Sequence, residues 1–136
     1  MNRDEKQTFS KDERLCKTKL IGEIFEHGNV FHSPQFRVSW IISPVNLPSP
    51  AQIAISVPKR SFRLAVTRNL IKRRIREAYR KNKQQLYKCL VSESIQIAFI
   101  MIFRQKSVPD YPSLEKSVKE AIETLCTAIR KVNLQC

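Results

Sequence analysis

The sequence predicts one α+β domain, a two-layer α/β sandwich whose elements run α-β-β-α-β-α around a small, mainly antiparallel sheet. Three observations carry that expectation. Helical and strand periodicities alternate along the chain. Its 136 residues are the length of a single domain. Hydrophobic residues make up 42% and only two residues are Gly, enough apolar side chain for a core and too little glycine for a linker or repeat protein. Residues 1–12 mix charges without period and read as a flexible N-terminal tail ahead of a single domain over 13–133.

The elements follow in order. From Leu15 through Leu20, Ile21, Ile24 and Phe25 the apolar positions recur at helical intervals, and Gly28 is a natural stop. Residues 35–42 alternate, with Phe36, Val38, Trp40 and Ile42 on one side and Arg37, Ser39 and Ile41 on the other. That predicts a half-buried strand with Trp40 in the core, but does not say which face meets water. Pro44, Pro48 and Pro50 interrupt, and Ile53, Ile55 and Val57 mark a second strand, the two reading as a hairpin. A long helical pattern covers Leu64 to about Leu86. Residues 95–103 are apolar on both faces, as a central strand requires. The last helix has Ser113 as its candidate N-cap and a stripe of Leu114, Val118, Ala121, Ile122, Leu125 and Ile129.

Charge is concentrated in one place. The chain has 25 Lys and Arg against 12 Asp and Glu, a formal net charge of +13. From Lys59 to Lys83 stand 11 basic residues and one acid, Glu77, so this segment alone holds +10. At 100° per residue, Leu64, Ile71, Ile75, Ala78 and Tyr79 share one arc of the helix, and Asn69, Lys72, Arg73, Arg76, Arg80 and Lys83 share another. Like charges at i,i+4 destabilise a free helix, so an external polyanion is expected to compensate them. A membrane surface fits poorly, because the apolar arc is needed for the core of so small a domain. Nothing here has the leucine heptads, zinc spacing or paired short helices of a duplex-DNA reader, which leaves structured RNA as the favoured partner.

The four cysteines, Cys16, Cys89, Cys126 and Cys136, are widely spaced and suggest neither a zinc site nor a disulfide framework. The longest apolar run, Ile97 to Phe103, is far short of the roughly 20 residues of a spanning helix. A cytoplasmic protein without a membrane partner is expected. Paired carboxylates at metal-ligand spacing are absent and His27 and His32 flank a turn, so no hydrolytic site is expected in the protein itself.

The words Val57-Pro58-Lys59-Arg60, Ala65-Val66, Arg68-Asn69, Ile71-Lys72-Arg73 and Arg76-Glu77-Ala78-Tyr79-Arg80 closely resemble the bacterial ribonuclease P protein family. Its signature is a basic pair ending a strand, a short link to A-V, and the basic helix of the RNR motif. Phe25, His27 and Gly28 match the F-x-H-G ending of its first helix, and the likeness runs from about Ser10 to Lys131. Two positions depart from the pattern. Leu70 stands where the third residue of R-N-R is basic, so one phosphate contact is lost or taken over by Arg73 or Arg74. Ile21 stands where a second aromatic is frequent.

The resemblance implies a left-handed β-α-β crossover and a non-catalytic protein subunit of a ribonucleoprotein that removes the 5′ leader of precursor tRNA. The catalyst is then the RNA subunit, which carries the Mg²⁺, with none assigned to the protein alone and no obligate protein partner. Arg68, Asn69, Lys72, Arg73, Arg76 and Arg80 are the expected contacts to the catalytic RNA, since guanidinium forks suit phosphate oxygens. The lesser alternative for Asn69, on sequence alone, is a helix N-cap. Phe25, Lys59, Arg60 and Arg63 are the expected contacts to the leader, Phe25 by stacking on a base, with a plain core Phe an almost equal reading of that position. The alternative is a ribosomal or other structural RNA-binding protein without catalytic association.

Overall fold

A computed structural model of the chain describes residues 9–134. The first helix, α1 (Thr18–His27), is followed by β1 (Asn29–Ser33), β2 (Phe36–Ile42), β3 (Ala51–Ser56), the long helix α2 (Ala65–Glu93), β4 (Ile97–Phe103) and α3 (Tyr111–Leu134). The strands form one sheet in the order β1-β2-β4-β3. β2 is antiparallel to both β1 and β4, and β3 is parallel to β4, with α2 as the crossover between them.

This order corrects the expected hairpin. β2 and β3 are not neighbours, because β4 lies between them. The physical reason is burial: every residue of β4 except Ile102 is buried, a strand that must be covered on both faces and both edges, while the proline-rich link 43–50 is long enough to let β3 cross to the far side. The tight hairpin is instead β1 with β2, turning through Pro34 and Gln35. Sequence reading missed β1, in which only Val30 and Phe31 are strongly apolar.

The two faces of the sheet are covered differently. Phe36, Val38, Trp40, Ile53, Phe99, Met101 and Phe103 pack against Ile71, Ile75, Tyr79, Leu86 and Leu90 of α2 and the stripe of α3, forming the main core. Burying each such side chain stabilises the fold by about 1.5–3 kcal/mol. On the opposite face α1 covers only part of the sheet, with Leu20 and Ile24 against Ala98 and Ile100. The row His32, Arg37, Ile102 and Ser56, aligned across all four strands, lies on this second face.

Local details revise several boundaries. α1 starts three residues later than its apolar pattern, because Leu15 belongs to an extended arm whose amide donates to Ile53 O at 2.9 Å. Phe9 meets Tyr79 edge-on at 6.0 Å, Asp12 O accepts from Ser49 and Gln52, and Glu13 is buried, so the fold takes in residues ahead of the boundary at 13. Gly28 ends α1 in extended backbone (φ −70°, ψ 153°), and its lack of a side chain matters by proximity: a Cβ would fall inside the van der Waals envelope of Ile24 O. Leu64, expected in the core, is exposed at the N-cap of α2. Ser113 is the third residue of α3 and not its N-cap, and its hydroxyl accepts from Gln35 Nε2. Cys89 and Cys126 are free and buried, Cys16 is free and exposed, and Cys136 lies outside the described residues.

Candidate RNA-binding surface

α2 presents the basic word on its outer side because Ile71, Ile75, Ala78, Tyr79, Leu86 and Leu90 turn the other side into the core. Asn69, Arg73 and Arg76 are exposed, and Arg68, Lys72 and Arg80 are half-buried. Asn69 is the fifth residue of the helix, which removes the N-cap alternative. Arg68 donates from Nη1 to the carbonyls of Phe62 and Arg63, at 2.8 and 2.9 Å, and so locks the link between β3 and α2. Arg80 is held in a two-pronged pair with Glu77. That hydrogen bond, with the charges of Arg80 and Lys81, keeps the Glu77 carboxyl below its ordinary range. Arg74 donates to Pro109 O at 2.9 Å and ties α2 to the loop before α3, leaving Arg73 as the freer cation beside Leu70.

Lys83 does not belong to the cationic face. It is 1% exposed, its ammonium is paired with Glu13 and it lies 5.4 Å from the centre of the Tyr87 ring. Its partner stands 70 residues away, so the pairing was invisible to a helical wheel.

A second basic feature lies on the sheet face that α1 leaves open. A groove of about 780 Å³ is lined by His32, Arg37, Arg60, Arg104 and Lys106, together with Pro58, Ser61, Ile102 and Phe103. Parallel pairing builds it. Ser56 aligns with Ile102, so the residues just after β3 and just after β4 emerge side by side at one end of the sheet. Lys59 and Arg63 are exposed on the same link as Arg60. Phe25, on α1, is 62% exposed, which excludes a core role and leaves its ring available at the surface.

The sequence reading assigned Lys59, Arg60 and Arg63 to the leader but missed His32, Arg37, Arg104 and Lys106. The signal was present: a basic residue follows each of two strands, Lys59-Arg60 and Arg104 with Lys106, and parallel neighbours bring such positions together. Reading a hairpin hid it. Among the described residues, no three His, Cys, Asp or Glu side chains converge to hold a metal ion. No helix among the described residues is long and apolar enough to cross a membrane.

Comparison with known proteins meets the same residues. The family model for ribonuclease P matches residues 9–126. The ribonuclease P protein component of Porphyromonas gingivalis is 31% identical over 114 residues, covering 84% of this chain and 83% of its own. That of Chlorobium phaeobacteroides is 32% identical over 129 residues, covering 87% and 88%. Among solved structures, the Staphylococcus aureus RNase P protein superposes with a TM-score of 0.67 at 24% identity, over 83% of this chain and 94% of that one. The Thermotoga maritima protein gives 0.66 at 20%, over 82% and 96%. Those two likenesses speak to the fold, while the family model and the curated relatives speak to descent: this chain belongs to the ribonuclease P protein family.

Proposed function

We propose that the chain is the protein subunit of a ribonuclease P ribonucleoprotein, which binds the catalytic RNA and the 5′ leader of precursor tRNA and so promotes removal of the leader. The observation that carries the reading is the pairing of two basic surfaces in a member of this family. One is the outer side of α2, with Arg73, Arg76 and Asn69 exposed, and the other is the groove of His32, Arg37, Arg60, Arg104 and Lys106. The helix suits a folded RNA, whose phosphates line up along a rigid edge. The groove, open at the sheet surface, suits a single strand laid across it, with its phosphates on the guanidinium forks. Phe25 adds a ring on which a leader base stacks.

In this reading the protein's residues bind and orient, and hydrolysis belongs to the RNA subunit with its Mg²⁺. The arginines, lysine and histidine that line the basic groove suit phosphate binding, which supports this division of labour. Expected surroundings are the cytoplasm, with no obligate protein partner. Reconstitution tests the proposal. Purified protein added to its cognate RNA subunit is expected to enhance cleavage of precursor tRNA at low Mg²⁺; failure to do so, with a folded protein and RNA, removes the reading.

A further inference from the structure

A third basic cluster, sharing no lining residue with the groove around Arg37, lies along the edge strand β3. A groove of about 320 Å³ is lined by Phe9, Arg14, Cys16, Ile55, Lys72 and Arg76, with Leu15, Ile53 and Ala54 at its floor. Lys72 and Arg76 come from α2, and Arg14 comes from the arm, more than fifty residues earlier. The arm meets β3 at the bridge of Arg14 with Ile53, beside the bonds from Leu15 N–H to Ile53 O and from Gln52 Nε2 to Asp12 O. Arg14 is exposed, with its guanidinium 5.5 Å from the centre of the Phe9 ring. The groove therefore holds three cations and an aromatic ring, with no acid among its lining residues.

The neighbouring residue in the arm explains how Arg14 is held there. Glu13 points inward and pairs with buried Lys83 at 2.5 Å, while Arg14 points outward. Two charges buried together are a poor source of net stability, but removing either one leaves the other unsolvated, so the pair fixes the arm in one place. We propose that the Glu13–Lys83 pair is a fastener that positions Arg14 beside Lys72 and Arg76, completing a phosphate-binding groove for the RNA at the edge of β3. This rests on the RNA-binding reading above and adds to it a contact residue, Arg14, and two positioning residues, Glu13 and Lys83. The anion bound is an RNA phosphate, either of the catalytic RNA or of the leader.

The test is the salt dependence of binding by the full chain, measured separately for the catalytic RNA, leader-bearing precursor tRNA and mature tRNA. Arg14→Ala is expected to flatten the slope of log K against log salt by about 0.7–0.9 for one of these RNAs. The RNA affected identifies the source of the phosphate. Lys83→Met leaves Glu13 without its partner and is expected to release the arm, flattening the same slope by the same amount, with no further loss in the Lys83→Met, Arg14→Ala double variant. Replacing both charges, Glu13→Leu with Lys83→Met, refills the site with apolar groups and is expected to restore the slope. A purely structural role for the pair would lower the unfolding midpoint without moving the slope. Unchanged slope in Arg14→Ala overturns the proposal even if Lys83→Met does not fold, and so does additive flattening in the double variant. Arg73→Ala separates this proposal from the broader one: if it flattens the slope and Arg14→Ala does not, the fastener fails alone, and if neither does, the RNA-binding reading fails first.

Discussion

Neutralising the sheet groove offers the sharpest test of how the leader is held. Its permanent cations are Arg37, Arg60, Arg104 and Lys106. If each meets one leader phosphate, the leader contributes a slope of about −2.8 to log K against log salt, and raising salt from 50 to 200 mM weakens its hold about 50-fold. Arg60→Gln with Arg104→Gln removes two of the four, one from each of the parallel strands' ends. The slope is then expected to be about −1.4, and the same salt step to weaken the leader's hold only about 7-fold. The assay is equilibrium binding to the reconstituted particle, with precursor tRNA carrying a leader compared against mature tRNA across salt. The difference between the two RNAs isolates the leader. An unchanged difference in the double variant refutes the groove as the leader's seat. Equal flattening for both RNAs means that these arginines touch the body of the tRNA or the catalytic RNA instead.

Four other outcomes are expected. Phe25→Ala should leave the urea midpoint unchanged, because the ring is exposed, and should weaken binding of leader-bearing but not mature tRNA by about 1–3 kcal/mol if the ring stacks on a base. Trp40→Ala, at a site 1% exposed, should cost about 3–5 kcal/mol of stability in denaturant titration and leave the salt slope of RNA binding as it was. Gly28→Ala should cost about 1–3 kcal/mol by the same titration, from crowding against Ile24 O and not from backbone strain, since φ there is ordinary. Stability should also fall in alkali. Burial, with Cys89 alongside, pushes the Cys126 thiol up to about 12 from its ordinary 9.0, and burial likewise raises Tyr79 and Tyr87. The folded state keeps protons that the unfolded chain gives up first. Stability is therefore complete below pH 9 and declines as pH rises toward 12, with Cys126→Ala expected to flatten that decline.

Periodic features were the legible part of this fold. The α3 stripe, the core residues Ile71, Ile75, Ala78 and Tyr79 of α2, and the alternation that buries Phe36, Val38 and Trp40 all depend on spacing within one element, which the sequence displays directly. The basic helix was legible for the same reason. What escaped depended on partners distant in the chain. Nothing local in β2 or β3 says that β4 will come between them, and so the convergence of Arg60 with Arg104 was lost along with the pairing. Lys83 looked like one more surface cation, because its buried neighbour Glu13 lies in a segment that charge pattern alone assigns close to the edge of the domain. Leu64 failed for a subtler reason: the wheel assumes helical backbone, but Leu64 is the extended N-cap ahead of α2, so its side chain does not follow the helix's apolar arc.

The sheet order also sets when the molecule becomes itself during synthesis. β4 is the last strand to leave the ribosome and the one on which both β2 and β3 depend for a neighbour. Until residue 103 has been added, the short β1–β2 hairpin is the only complete strand pair among the described residues, and β3 has just the arm's bridge at Ile53. The 29-residue cationic helix, by contrast, precedes β4 and closes its backbone hydrogen bonds within one segment, although its like charges oppose it until a core or a polyanion is at hand. A nascent chain thus displays its densest charge before it has a sheet to mount it on, and in a cell crowded with RNA the first stable contact of that helix need not be with the rest of its own fold.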